Sequence, residues 1–248
     1  MMVIERTSIV AYVNELLRIH DYSDSSTNGL QVEGSELVNK IITSVSASVE
    51  LFEKAVAAQA QMIIVHHGIL WEKESRVVKG GLKKRLEILL ANQMNLLAYH
   101  LPLDGHEELG NNAVAAGALH LRDLQRFADV GWMGNITPVP FDQFLDQVKG
   151  LYQSEPLTFA YGPHRVERVG ICSGGAQRSI VEAIDRGLDV YVTGECSEAT
   201  MHLAQEGGIH FIAAGHYATE RPGIQALGTH LQKKFDLQVE YIDVPNPI

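Results

Sequence analysis

Short apolar runs alternate along this chain with amphipathic segments of helix length, and the alternation occurs twice. In the first half KIITSVSA, MIIV and NLLAYH read as strands, separated by the helical patterns VELFEKAVAAQA and GLKKRLEILLANQ and followed by NNAVAAGALHL. In the second half RVGIC, DVYVTGE and IHFIAAG read as strands. GAQRSIVEAIDRG, SEATMHLAQEGG and TERPGIQALGTHLQKKF read as helices, and QVEYIDV as a last strand. Strands that are joined through helices become parallel neighbours by right-handed crossovers. The order therefore predicts an α/β fold of two related lobes, with mainly parallel sheets facing a shared cleft. Residues 5–19, with Ile9, Val13, Leu16 and Leu17 at helical spacing, open the fold as an amphipathic helix. Residues 21–34, DYSDSSTNGLQVEG, are polar and turn-rich and read as a surface loop. Residues 121–167 read as the connection between lobes, carrying one helix, FDQFLDQVKGLY. The boundary falls near residue 125, giving an N-terminal lobe over 1–125 and a C-terminal lobe over 126–248.

Three of the strand patterns end in potential metal ligands. QMIIVHHG ends in His66 and His67, LLAYHLPLD carries His100 and Asp104, and HFIAAGHYATE carries His216 and Glu220. The carboxyl ends of strands are where open α/β sheets keep their chemistry. A lone histidine at such a place is usually structural, but three strand ends that each pair two ligand types reverse that expectation. Imidazole and carboxylate together suit zinc, manganese or ferrous iron. His66, His67, Asp104, His216 and Glu220 exceed the three protein ligands of a single catalytic zinc. Adjacent histidines on extended backbone point to opposite sides and so serve two neighbouring ions more easily than one. The expectation is two divalent ions per chain, with a shared carboxylate, assigned to Glu220, between them. Thr219 reads as the cap of a helix starting at Glu220, with Pro222 in its first turn and His216 on the preceding loop.

The other features are weighed more blandly. His20, His106, His120, His164, His202, His210 and His230 read as structural or exposed, and Cys172 and Cys196 as reduced and mostly buried. Residues 173–176, SGGA, precede a helical pattern and could offer backbone N–H groups to a phosphate, but a short Gly pair is a weak motif and a tight strand-to-helix turn is the favoured reading. His100 and Glu195 are candidates, by position alone, for carrying a proton.

The formal charge of −10 disfavours a broad nucleic-acid surface, since such affinity rests on lysine and arginine displacing counterions. No apolar run approaches the roughly 20 residues of a membrane span, and the charged, helically periodic N-terminus lacks the unbroken apolar segment of a secretory signal. A cytoplasmic location is expected.

Taken together, NGLQVEG, VHHG, HLPLD followed by ELGNN, VTGE, and GHYATER with GIQAL resemble the NIF-three-like family, whose members are often called GTP cyclohydrolase 1 type 2 homologues. The resemblance covers nearly the whole chain in the correct order. It implies a dinuclear metal centre with ligands on His66, His67, Asp104, His216 and Glu220, His100 close by, a two-lobed α/β fold, and a homohexameric ring with the metal sites facing an internal cavity. Longer members carry an extra domain between the lobes, for which residues 121–167 are too few. The function so implied is hydrolysis of a nucleotide or related small molecule, with opening of the GTP purine ring as its specific form. The alternative is a metal-holding scaffold or interaction protein without turnover.

Overall fold

The computed structural model describes every residue except Met1 and Arg76. It divides into two compact units. The first comprises Met1–Leu103 with Ile224–Val244, and the second Asp104–Gly223 with Pro245–Ile248. The chain thus crosses between units at Leu103/Asp104, not near residue 125, and its C-terminal helix and last strand return to the first unit.

In chain order the first unit contains β1 (Ile4–Glu5), α1 (Arg6–Leu16), β2 (Gly29–Val32), β3 (Leu37–Val38), β4 (Lys40–Ser46), α2 (Val49–Ala57), β5 (Met62–His67), α3 (Gly80–Ala91) and β6 (Asn95–Ala98). The short α4 (Leu101–Gly105) carries the chain across. The second unit contains α5 (Asn111–Ala118), β7 (Arg122–Phe127), β8 (Gly131–Pro140), α6 (Phe141–Tyr152), β9 (Leu157–Ala160), β10 (Arg165–Ile171), α7 (Ile180–Asp185), β11 (Val190–Thr193), α8 (Glu198–Gly207), β12 (His210–Ala213) and α9 (His216–Thr219). Finally α10 (Arg221–Phe235) leads back to β13 (Gln238–Tyr241).

Each unit is built on a parallel trio of strands. In the first, β4, β5 and β6 run parallel, β13 adds in parallel beside β4, and β2 adds antiparallel beside β6, giving the order β13-β4-β5-β6-β2. In the second, β10, β11 and β12 form the trio, with β9 antiparallel beside β12 and β8 antiparallel beside β10. β7 completes the order β7-β8-β10-β11-β12-β9. The twofold alternation read from the sequence is therefore real, but residues 121–167 are not a connection. They supply three of the six strands of the second sheet, together with the expected helix, α6. Residues 21–34 likewise include an edge strand, β2.

The strands are apolar because both of their faces are covered. In the first unit Ile42, Ile63, Val65 and Leu96 pack with Leu51, Phe52 and Ala55 of α2 and Leu89 of α3. On α10 the backbone comes so close to β4 that a Cβ on Gly228 would lie 3.1 Å from Thr43 Oγ1. In the second unit Val190 and Val192 join Phe141, Phe144 and Val148 of α6, whereas Tyr191 between them joins Ile180, Ala183 and Ala204 of α7 and α8. That is the period-two division of a strand between two cores. Ser48 fixes the start of α2, its hydroxyl accepting the Leu51 amide at 3.1 Å.

Candidate metal centre

In the first unit three imidazoles gather at the carboxyl end of the parallel trio. His66 and His67 close β5, and His100 follows β6 by two residues. Their ring centroids lie 4.6 Å (His66 to His67), 5.1 Å (His66 to His100) and 5.6 Å (His67 to His100) apart. One nitrogen from each can be chosen so that all three lie within 4.8 Å of one another, a spacing that can hold a metal ion. The two adjacent histidines do not keep opposite sides, as a straight strand would require. Their rings converge at the strand end.

The outer contacts set which nitrogen each ring presents. His66 Nδ1 lies 2.9 Å from the Tyr99 carbonyl oxygen, which can only accept, so Nδ1 carries the proton and Nε2 the lone pair. His100 Nδ1 lies 2.8 Å from Asp24 Oδ1, and His67 Nδ1 lies 3.1 Å from the Ser46 hydroxyl at the end of β4. An imidazole held this way through its far nitrogen is oriented and made more basic for metal binding through the near one.

Residues 21–34, expected to be a bland loop, build this support. The buried Asp24 carboxylate accepts from the His100 ring, from the amides of Ser26 (3.0 Å) and Leu101 (2.9 Å), and from Asn28 Nδ2 (2.9 Å). Burial works against its charge, but the hydrogen bonds from His100, Asn28 and the Ser26 amide outweigh it and hold the carboxyl well below the usual carboxylate range. Asn28 Oδ1 also accepts the His100 amide at 2.8 Å. Gln31 Oε1 accepts the amides of Ile69 (2.7 Å) and Leu70 (3.2 Å), pinning the turn that follows the histidine pair. A Cβ at Gly68 would meet that same Oε1 at 2.3 Å, which is why glycine stands there. Asp24→Asn keeps the shape and removes the charge. It is expected to lower divalent-ion affinity about 10- to 100-fold, as other losses of outer ligand partners do, read by competition with a chelating dye.

The second unit holds a complementary set. Asp104, 4 % exposed, receives Asn111 Nδ2 at 2.8 Å and the Ser173 hydroxyl at 2.7 Å on Oδ1. Asn112 accepts the Ser173 amide at 2.7 Å, and Asn111 accepts the Gly223 amide at 2.8 Å. The two asparagines of ELGNN thus lock Asp104 to the turn after β10 and to the start of α10. His216 lies between two carboxylates, with Nδ1 2.6 Å from Glu195 Oε1 and Nε2 3.1 Å from Glu220 Oε1. Burial opposes a charge on this ring, yet the hydrogen bonds and charges of Glu220 and Glu195 raise its pKa to about 9. Glu220 itself is 2 % exposed. Buried imidazole and carboxylate donors of this kind match the preferences of zinc, manganese or iron.

Several sequence expectations change here. Glu195 is bound to His216 through its Oε1, so it also orients that ring. His216 begins a helical turn, α9, and does not lie on a loop. Thr219 does not cap α10, which starts at Arg221 with Pro222 in its first turn. Its Oγ1 donates to the His216 carbonyl and accepts the Gly174 amide, each at 3.0 Å. The SGGA segment does not cradle a phosphate with its first two amides, because Ser173 N serves Asn112 and Gly174 N serves Thr219. At φ +66° Gly174 turns the backbone against Glu220 instead. Asp24, Ser46, Asn28, Gln31, Asn111 and Asn112 were not foreseen as supporting residues, since polar side chains in a turn-rich stretch look alike until their partners are known. Among the other histidines, His210 is a core residue stacked on Phe141, as expected for a structural role.

Residues 4–247 match the model of the Duf34/NIF3 (NGG1p interacting factor 3) family, and the chain belongs to that family. A Pasteurella multocida protein called GTP cyclohydrolase 1 type 2 homolog is 45% identical over 241 residues, covering 95% of this chain and 96% of that relative. The protein of the same name from Escherichia coli (strain K12) is 45% identical over 245 residues, covering 98% and 99%. Among solved structures, one described as protein ybgI, of unknown function, superposes with a TM-score of 0.95 at 44% identity, covering 99% of this chain and all of that one. TTHA1606 from Thermus thermophilus does so with a TM-score of 0.93 at 37% identity and the same coverage.

Proposed function

We propose that the chain holds a dinuclear centre, with His66, His67, Asp104, His216 and Glu220 as ligands and Glu220 shared between two divalent ions. On this reading the chain is a metal-dependent hydrolase of a nucleotide or related small molecule. The observation that carries it is the shared bonding pattern of four imidazoles: His66, His67, His100 and His216 each have Nδ1 engaged by an oxygen, which leaves metal ligation to Nε2.

When bound, two divalent ions supply electrophilic activation of water and of the substrate. The chain's own residues do the rest. Asp104 is immobilised by Asn111 and Ser173, and His216 by Glu195, so neither has to be ordered when substrate arrives. His100, with its ring fixed by Asp24, is the residue suited to move a proton at Nε2. The names of the relatives make GTP the first substrate to test.

Metal-loaded protein is incubated with GTP and, separately, with generic phosphate esters, following formate release, the purine ultraviolet spectrum and phosphate release. Turnover that depends on zinc, manganese or iron is expected. Its absence with all three ions and both substrate types would leave the metal-holding scaffold as the better reading. Assembly into a hexameric ring is proposed on family grounds, and light scattering at six times 27.3 kDa would bear it out.

A further inference from the structure

Beside the imidazole trio the first unit has a cavity of about 350 Å³ that none of the proposed ligands lines. Its lining residues include the apolar Leu70, Trp71, Val78 and Leu82 and the acidic Glu72 and Glu74. Trp71 belongs to both places, with its ring centroid 5.1 Å from that of His100 and 5.9 Å from that of His67. Leu70 and Val78 are 37 % and 55 % exposed, so apolar surface lies open to water one side chain away from a polar site. The wall is held firmly. The Thr27 amide donates to the Leu70 carbonyl at 3.0 Å, the Glu72 amide to the Ser25 carbonyl at 2.7 Å, and the indole N–H of Trp71 to the Gly68 carbonyl at 3.2 Å. With its one polar atom engaged by the backbone, Trp71 contributes only its ring to the cavity.

We infer that this cavity binds the flat heteroaromatic ring of the substrate, a purine-type base bearing N–H donors, with Trp71 as its aromatic wall. The inference rests on the nucleotide reading above and narrows it. Pockets for small ligands span about 300–1,000 Å³, and this one is at the small end, which suits a base or nucleoside better than a whole nucleoside triphosphate. The two acidic residues of the lining set the polarity of the guest. They repel phosphate and accept hydrogen bonds from ring N–H and exocyclic amino groups, so the base faces them and the anionic part of the ligand stays outside the cavity. Leu70, Val78 and Trp71 supply the apolar surface on which any base can stack.

Trp71 and Trp132 are the two tryptophans of the chain, so Trp132→Phe leaves Trp71 as the sole tryptophan reporter. Guanosine, adenosine and inorganic tripolyphosphate are titrated into this protein, with the metal content of the same sample measured. Guanosine is expected to quench Trp71 saturably and tripolyphosphate to leave it unchanged. Adding Val78→Glu, a change at an exposed position outside the ligand set, is expected to weaken guanosine about tenfold or more while the metal content stays the same. No saturable quenching by either nucleoside at millimolar concentrations overturns the inference, as does equal quenching by tripolyphosphate alone or insensitivity to Val78→Glu. Quenching by guanosine in a protein that holds no ion keeps the base site and removes only the hydrolase. Turnover without quenching does the reverse.

Discussion

Glu220→Gln is expected to retain at most one of the two divalent ions proposed above, and His67→Ala to behave in the same way. Both substitutions remove a proposed ligand, so the loss should exceed the 10- to 100-fold typical of an outer partner. A 100-fold loss already corresponds to about 2.7 kcal/mol of binding energy. Glutamine fills the volume of glutamate in a site only 2 % exposed, so the change tests charge and coordination more than packing. His67 ends β5, whose ladder to β4 and β6 is made by backbone groups, and truncating its side chain leaves that ladder in place. The measurement is metal stoichiometry by elemental analysis together with competition against a chelator, with circular dichroism as the check on the fold. Two ions retained at parental affinity in both variants would remove the dinuclear assignment.

How much of this arrangement the residues disclosed depends on what kind of signal each element leaves. The trios β4-β5-β6 and β10-β11-β12 were legible because strands buried on both faces must be continuously apolar, and the helices between them must show a 3.6 period. β7 and β8 left no such trace. β7, RDLQRF, is exposed at five of its six positions, and an edge strand facing water needs no apolar pattern. β8 contains glycines and prolines that read as loop, each with a structural reason. A Cβ at Gly131 would lie 2.3 Å from the Ile171 carbonyl, and one at Gly134 2.5 Å from the Arg122 carbonyl, so close strand approach excludes a side chain. Pro138 lies where the register between β8 and β10 shifts, a place where a missing N–H costs no ladder bond.

The destination of β13 was hidden for a different reason. Its alternation is that of any half-buried strand, and nothing local distinguishes pairing with β4 from pairing in the second sheet. The same division applies to the site. His66, His67, Asp104, His216 and Glu220 stood out because ligand types recur at strand ends. Asp24 and Asn28 did not, since their importance comes from a hydrogen bond to His100 more than 70 positions away in the sequence.

Gly174→Ala is expected to destabilise the second unit and to weaken metal binding together. The new Cβ would lie 2.3 Å from Glu220 Oε1 and 3.2 Å from His216 Nε2, where ordinary contact begins near 3.5 Å. It would also hold alanine at φ +66°, which costs roughly 1–2 kcal/mol for a residue with a side chain. Overpacking a filled site adds about 1–3 kcal/mol. Because Glu220 is buried, its carboxylate cannot relieve the clash by swinging into water, so it must leave the position from which it meets His216. Metal affinity is therefore expected to fall along with stability, whereas a purely conformational cost would lower stability alone. Combining the substitution with Glu220→Ala separates the two effects, with unfolding followed in denaturant on chelator-treated protein. If the turn steers the carboxylate, Gly174→Ala costs markedly less when Glu220 is already alanine, because only the backbone penalty remains. Strict additivity of the two substitutions would mean that the turn and the carboxylate act independently, and the role assigned to residues 173–174 would then be lost.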